Sequence, residues 1–191
     1  MINMNLKRIV KNFLGFCRCI IAGVPYPGDV YVGRHVHIEN GKRIALGRNV
    51  SIRPDVDLFA GCVFKIGEGC DIGTRNRIAG NVVIEDYVLF GPDNYICSED
   101  HCFSDIQRPI MHQDAVTVTK NGHDELKIGS GSWIGTHVAI IGDVHIGKNC
   151  VIGANSVVTK DVPDYCVAVG IPARIVKRYN KDTNAWEKVS E

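Results

Sequence analysis

The sequence predicts an all-β fold, a parallel β-helix built from six-residue repeats, and three regularities predict it. Branched aliphatic or aromatic residues recur at every sixth position in two long runs, which are Ile66, Ile72, Ile78, Ile84, Phe90 and Ile96, then Ile128, Ile134, Ile140, Ile146, Ile152 and Val158. The next residue is often glycine, and four residues after each aliphatic comes a position that is usually small. Neither an α-helix nor an ordinary strand repeats every six residues, whereas stacked coils of short strands do.

The first 24 residues are predicted to form a separate amphipathic helix, over roughly residues 3 to 23, which Gly23 and Pro25 end. Its basic residues are Lys7, Arg8, Lys11 and Arg18. Because Arg18 interrupts the apolar stretch, the helix is too short to span a bilayer, and no small-residue cleavage site of a secretory leader follows. We favour a cap on the open first coil, which a solenoid requires, over a helix that lies on a membrane surface.

The β-helix is predicted over residues 25–175, with a two-residue insertion between Leu58 and Ile66 that forms a bulge at a corner. Three cysteines, Cys62, Cys70 and Cys150, fall on small inward positions, where a thiol acts as a compact hydrophobe. Reduced thiols in the core favour a cytoplasmic location, with the inner membrane surface as the alternative. The polar tail, residues 176–191, is expected to form a short helix and then a loose end.

The longest interruption of the repeat is the loop of residues 97–127. A loop of this length inside a compact domain is usually functional. His101 stands where the chain leaves the repeat, and acidic residues lie on either side of it. Because imidazole titrates near neutral pH, His101 is the candidate general base of this loop.

Composition excludes several functions. The 22 basic and 21 acidic residues give a net charge of +1, so no electrostatic surface for nucleic acid is expected. The eight cysteines contain no C-x-x-C spacing, so neither a metal centre nor a disulfide framework is expected.

Two parts of the sequence resemble the hexapeptide-repeat acyltransferases, and most of all their sugar and polysaccharide O-acetyltransferases. The first part reads I-G-S-G-S-W-I-G-T-H-V over residues 128–138, I-G-A-N-S-V-V-T-K-D-V-P over 152–163 and V-G-I-P-A-R over 169–174. The second is D-H-x-F-x-D-I-x-x-P-I-x-x-Q over residues 100–113. The resemblance implies a left-handed β-helix and a homotrimer with active sites between neighbouring coils. It also implies transfer of an acetyl group from acetyl-CoA to a carbohydrate acceptor, without a metal.

The resemblance also implies roles for single residues. His101 matches the catalytic histidine, and Asp105, or else Asp100, would orient its ring. The donor acetyl-CoA would lay its pantetheine arm along Trp133, Thr136 and Ala154 and its nucleotide against Thr159, Lys160, Arg174 and Lys177. Basic side chains suit the phosphates of a nucleotide. For Asn76 and Asn94, which occupy inward positions, a structural hydrogen-bonded ladder is favoured over acceptor binding.

The leading functional prediction is O-acetylation of a sugar hydroxyl in a cell-surface polysaccharide, a lipopolysaccharide or a precursor. Two alternatives stay open. One is N-acetylation of an amino-sugar nucleotide, although such relatives often carry an additional nucleotide-binding domain for which no space exists before Val32. The other is a non-catalytic β-helix scaffold. The sequence does not identify the acceptor.

Overall fold

The repeat pattern folds as predicted: the chain winds as a left-handed β-solenoid of about six turns. The computed structural model describes residues 4–113, 115–116 and 123–189. A helix, α1 (Met4–Ile21), comes first, and single 3-10 turns cover Gly41–Arg43 and Ile110–His112. The strands are, in chain order, β1 (Tyr31–Val32), β2 (His37–Glu39), β3 (Ile44–Leu46), β4 (Ser51–Ile52), β5 (Asp57–Ile66), β6 (Asp71–Ile72), β7 (Arg77–Ile84), β8 (Leu89–Phe90), β9 (Tyr95–Cys97), β10 (Asp100–His101), β11 (Ala115–Val116), β12 (Leu126–Ile128), β13 (Trp133–Ile134), β14 (Ala139–Ile141), β15 (His145–Ile146), β16 (Val151–Ile152), β17 (Val157–Val158), β18 (Cys166–Val169), β19 (Arg174–Asn180) and β20 (Ala185–Lys188). The parts of the predicted helix, loop and tail at residues 1–3, 114, 117–122 and 190–191 lie outside the described residues.

Parallel pairing stacks the strands into rows along the solenoid. One row runs through β1, β4, β6, β8, β13, β16 and β18, and another contains β7, β9, β14 and β17. Strand β7 also pairs directly with β12, where Ile84 lies opposite Ile128. The chain leaves the solenoid as a loop after β9, and β12 rejoins the stack directly beside β7.

The core consists of the predicted six-residue ladder. Ile134 lies in register between Phe90 and Ile152, and all three side chains are buried. Burying one such side chain contributes about 1.5–3 kcal/mol, so the stacked rows supply most of the driving force for the fold. The ladder of Asn76 and Asn94 is also confirmed as structural. The side-chain oxygen of Asn76 accepts the Asn94 N–H at 2.8 Å, and that of Asn94 accepts the Val138 N–H at 2.7 Å.

Two predictions about the solenoid are wrong. Cys62 is exposed, because the register of β5 shifts between Ala60 and Phe64 and places it in the bulge. The tail forms no helix as far as residue 189, where its description ends; β19 pairs antiparallel with β18, and β20 with β19. The last coil would otherwise leave the backbone groups of β18 unpaired, and this hairpin satisfies them.

Helix α1 packs against the first coil through small and polar residues. Gly15 lies so close to the Val30 carbonyl that a Cβ there would be 1.9 Å from the oxygen. The Asn12 side-chain amide donates to Asp29 at 2.5 Å, and the Arg18 guanidinium donates to the Val32 carbonyl. These contacts attach the helix to the first coil; its role as a cap stays a prediction. Within the described residues, no helix is long and apolar enough to cross a membrane.

Candidate active site

His101 is placed by the strand pair at the start of the loop. The chain leaves the solenoid after β9, and β10 then pairs antiparallel with β11, with His101 opposite Ala115. The His101 side chain is exposed, and its backbone N–H donates to the Asp100 carboxylate at 2.8 Å. The returning strand therefore holds the backbone of His101 while the ring stays accessible.

The acidic motif residue further along the loop has a local role in this structure. The Asp105 carboxylate accepts the Gln107 N–H at 3.0 Å, and the Gln113 amide donates to the Asp105 carbonyl at 2.8 Å. Among the described residues, no hydrogen bond joins Asp105 to His101. Of the two predicted orienting residues, Asp100 lies beside His101, and Asp105 closes the loop on itself.

A cavity of about 630 Å³ opens beside His101. Outward residues of successive coils form one wall, since Phe59, Ala79 and Cys97 follow one another in register. The charged and aromatic side chains that line the cavity are Glu39, Arg43, Phe59, Arg77, Tyr95, Glu99, Asp100 and His101. Carboxylates and guanidinium groups around aromatic rings can hold the hydroxyl groups and the apolar face of a sugar.

Phe59 organises this wall. The Arg77 guanidinium lies 4.2 Å from the centre of the Phe59 ring, and the His37 ring lies 5.5 Å from it. The Arg77 guanidinium is also 3.9 Å from the Asp57 carboxylate, a loose and half-exposed pair. Arg77 is thus positioned more by the aromatic ring than by a salt bridge.

The residues predicted to hold the pantetheine arm lie on or close after β13 and β16, which belong to a different row of strands. Trp133 is 51% exposed on β13, and the apolar outward residues Leu89 and Val151 flank it in register. At the next corner, Gly135 approaches the following coil so closely that a Cβ there would be 2.8 Å from the Ala154 nitrogen. The Thr136 hydroxyl donates to the Pro92 carbonyl at 3.0 Å. Trp133, Thr136 and Ala154 therefore lie on neighbouring strands and corners.

The predicted nucleotide end is cationic and exposed. Thr159 and Lys160 follow β17, and the backbone N–H of Ala173, next to Arg174, donates to the Val157 carbonyl at 2.8 Å. Lys177 lies opposite Val167 on β18. The described part of the chain contains no ion pair of Lys160, Arg174 or Lys177.

The structure does not bring the two groups together within one chain. The cavity beside His101 is lined by none of the seven predicted donor residues. The sequence reasoning missed several residues that line this cavity, including Glu39, Asn40, Arg43, Phe59, Arg77 and Tyr95. The sequence could have indicated these residues, because they lie at outward positions of the coils that precede the loop.

A second cavity, of about 400 Å³, is lined by charged residues that include the pair Glu85 and Lys127. Lys127 lies 2.8 Å from Glu85 and lowers the pKa of that carboxyl group to about 2. His123 stacks on His145 at 3.5 Å, and its contact with Asp161 raises the pKa of His123. The Nε2 atom of His145 is buried and lies 3.7 Å from the Glu125 carboxylate. This cluster anchors the end of the loop. Among the described residues, no three histidine, cysteine or acidic side chains could hold a metal ion.

Known proteins share both the sequence pattern and the fold. The family described as bacterial transferase hexapeptide (six repeats) matches residues 126–160. The galactoside O-acetyltransferase of Escherichia coli is 34% identical over 139 residues, which are 71% of this chain and 64% of that protein. The putative lipopolysaccharide biosynthesis O-acetyl transferase WbbJ of the same species is 30% identical over 156 residues, which are 72% of this chain and 80% of that protein. A probable acetyltransferase of Mycobacterium tuberculosis is 32% identical, and the chain spans 52% of its length.

Solved structures of acyltransferases share the fold of this chain. The maltose O-acetyltransferase from Clostridium difficile superimposes with a TM-score of 0.52 at 28% identity, over 80% of this chain and 67% of that one. A mutant of AntD, an N-acyltransferase from Bacillus cereus solved with dTDP and coenzyme A, has the same fold, with a TM-score of 0.66 at 22% identity over 81% of this chain and 83% of that one. The chain therefore belongs to the hexapeptide-repeat acetyltransferase family, on the branch that contains the galactoside and maltose O-acetyltransferases.

Proposed function

We propose that this protein is an acetyl-CoA-dependent O-acetyltransferase that acts in the cytoplasm on a sugar hydroxyl of a cell-surface polysaccharide, a lipopolysaccharide or a precursor. The observation that carries the proposal is the exposed imidazole of His101 at a cavity lined by aromatic rings and carboxylates. The names of the galactoside and lipopolysaccharide O-acetyltransferase relatives support an acceptor of this class.

In the proposed reaction, neutral His101 takes the proton of the acceptor hydroxyl as its oxygen attacks the thioester carbonyl carbon. The tetrahedral intermediate then collapses, the carbon–sulfur bond breaks, and the imidazolium returns the proton to the CoA thiolate. A positioned base of this kind typically accelerates such a step by about 10²–10⁴. Asp100 is adjacent to His101 and Asp105 shapes the loop, so both act as positioning residues.

The donor acetyl-CoA would lie along Trp133, Thr136 and Ala154, with its phosphates near Thr159, Lys160, Arg174 and Lys177. Because these residues do not line the cavity of His101 in the same chain, we propose that a neighbouring copy supplies them. In a homotrimer each active site would form between two chains, and three chains of 21.0 kDa would have a mass of about 63 kDa.

The proposal is tested with acetyl-CoA and a panel of neutral, acidic and amino sugars, free or nucleotide-linked. The readouts are release of the CoA thiol and a mass gain of one acetyl group on the acceptor. The controls are His101→Ala, expected to be inactive, and His35→Ala, which changes an exposed histidine on an early coil. Acetylation of an amine in preference to every hydroxyl would favour N-acetyl transfer, and no thiol release with any acceptor would favour a scaffold.

A further inference from the structure

Helix α1 presents its apolar side to solvent. Seven aliphatic or aromatic side chains of the helix are between 42% and 85% exposed, namely Ile9, Val10, Phe13, Leu14, Phe16, Ile20 and Ile21. At 100° per residue they occupy one continuous arc of about 160° around the helix. Contiguous exposed apolar surface of this kind marks an interaction site.

The opposite side of α1 faces the protein and is small or polar. Gly15 and the buried Cys19 contact the first coil, and Asn12 and Arg18 donate hydrogen bonds to it. A helix that served only as a cap would bury its apolar side against the core. The orientation of α1 is the reverse, so the cap interpretation does not account for the apolar residues.

The net charge of α1 is positive. The sequence of α1 contains four basic residues and no acidic residue. At its C-terminal end, Lys42 and Arg43 line a pocket of about 440 Å³ together with Ile20 and Ile21. A cationic helix with an exposed apolar arc, and with Lys42 and Arg43 at its C-terminal end, complements a surface of anionic phospholipids, in which the apolar side chains enter the acyl region and the cations meet the headgroups.

We propose that α1 lies flat on an anionic phospholipid surface and attaches the solenoid to it by the first coil. The helix of 18 residues is about 27 Å long and offers the arc along most of that length. Asn40 and Arg43 line both the pocket at Ile20 and Ile21 and the cavity beside His101. The surface at the C-terminal end of α1 is thus continuous with the proposed acceptor site. If the proposed function holds, the acceptor is a saccharide carried on a lipid.

The test is sedimentation of the full chain with vesicles of phosphatidylcholine containing phosphatidylglycerol, compared with vesicles of phosphatidylcholine alone. The variants are Phe13→Ser/Ile20→Ser and, as a milder change, Ile9→Ser. The matched control is Val63→Ser, which changes an exposed apolar residue in the bulge of β5. Each variant replaces an exposed side chain, so melting temperatures are expected to stay near that of the wild type.

The wild type and Val63→Ser are expected to sediment with the anionic vesicles, less so at high salt, whereas the double variant should bind about tenfold more weakly or worse. Equal binding by the double variant, or no binding by the wild type, would overturn the proposal. If the double variant instead lowers the oligomer mass in light scattering and no form binds vesicles, the face lies between copies of the chain. Vesicle binding is measured without acetyl-CoA, and thiol release is measured with soluble acceptors, so either proposal can fail alone.

Discussion

Replacing Trp133 by alanine should weaken acetyl-CoA binding by about tenfold. About half of this side chain is exposed, and half of a tryptophan is about 125 Å². At about 25 cal/mol per Å², complete burial of this area by the donor would contribute about 3 kcal/mol to the free energy of binding. Burial of only one side of the ring would contribute about half of that. A loss of about 1.5 kcal/mol corresponds to roughly a tenfold rise in Kd. Trp133→Phe should lose less, because it keeps an aromatic ring.

Kd is measured by calorimetric titration of CoA into the protein, so that no acceptor is needed. The matched control is Trp186→Ala, which removes the other tryptophan; it is 42% exposed and packs edge-on against Tyr179 in the C-terminal hairpin. An unchanged Kd in Trp133→Ala, with a large change in Trp186→Ala, would refute the placement of the donor along β13.

Three further predictions concern the base, the core and pH. His101→Ala should lower kcat by about 10²–10⁴ with little change in the KM for acetyl-CoA, as steady-state kinetics would show. Asn94→Ala should lower the free energy of unfolding by about 1–3 kcal/mol in denaturant titrations, because the buried Val138 N–H loses its acceptor. Because Lys127 lowers the pKa of Glu85 from 4.5 to about 2, the pair stabilises the fold above about pH 4.5 and this contribution disappears as the pH falls towards 2. The difference in melting temperature between the wild type and Glu85→Gln should shrink over that range; a constant difference would contradict it.

The inward half of the structure could be predicted from the sequence, because close packing inside the coil forces a strict period. Ile134 has to fit between Phe90 and Ile152, and this requirement leaves a visible pattern. The outward half carries no such constraint. Residues such as Phe59 and Arg77 come together only when successive coils are stacked, so the cavity beside His101 was not predicted.

Two other differences between the sequence-based predictions and the structure have physical causes. The C-terminal hairpin pairs along the open edge of β18 and is largely exposed, so its sequence lacks the alternation of a buried strand. Helix α1 was identified as amphipathic, but the pattern alone does not state which side faces the protein. Gly15 decides this, since only a residue without a side chain fits against the Val30 carbonyl.

The central claim is that His101 of one chain works with the donor residues of a neighbouring chain, and complementation tests it most directly. The His101→Ala variant and the donor variant Trp133→Ala/Arg174→Glu are each expected to release little thiol at low acetyl-CoA. Co-expression with two different affinity tags yields mixed oligomers, in which some interfaces combine an intact His101 with an intact donor site. The account predicts that these mixed oligomers recover a substantial fraction of wild-type activity. If they are isolated as stable trimers and stay as inactive as the two parents, each chain holds a complete site and the account is contradicted.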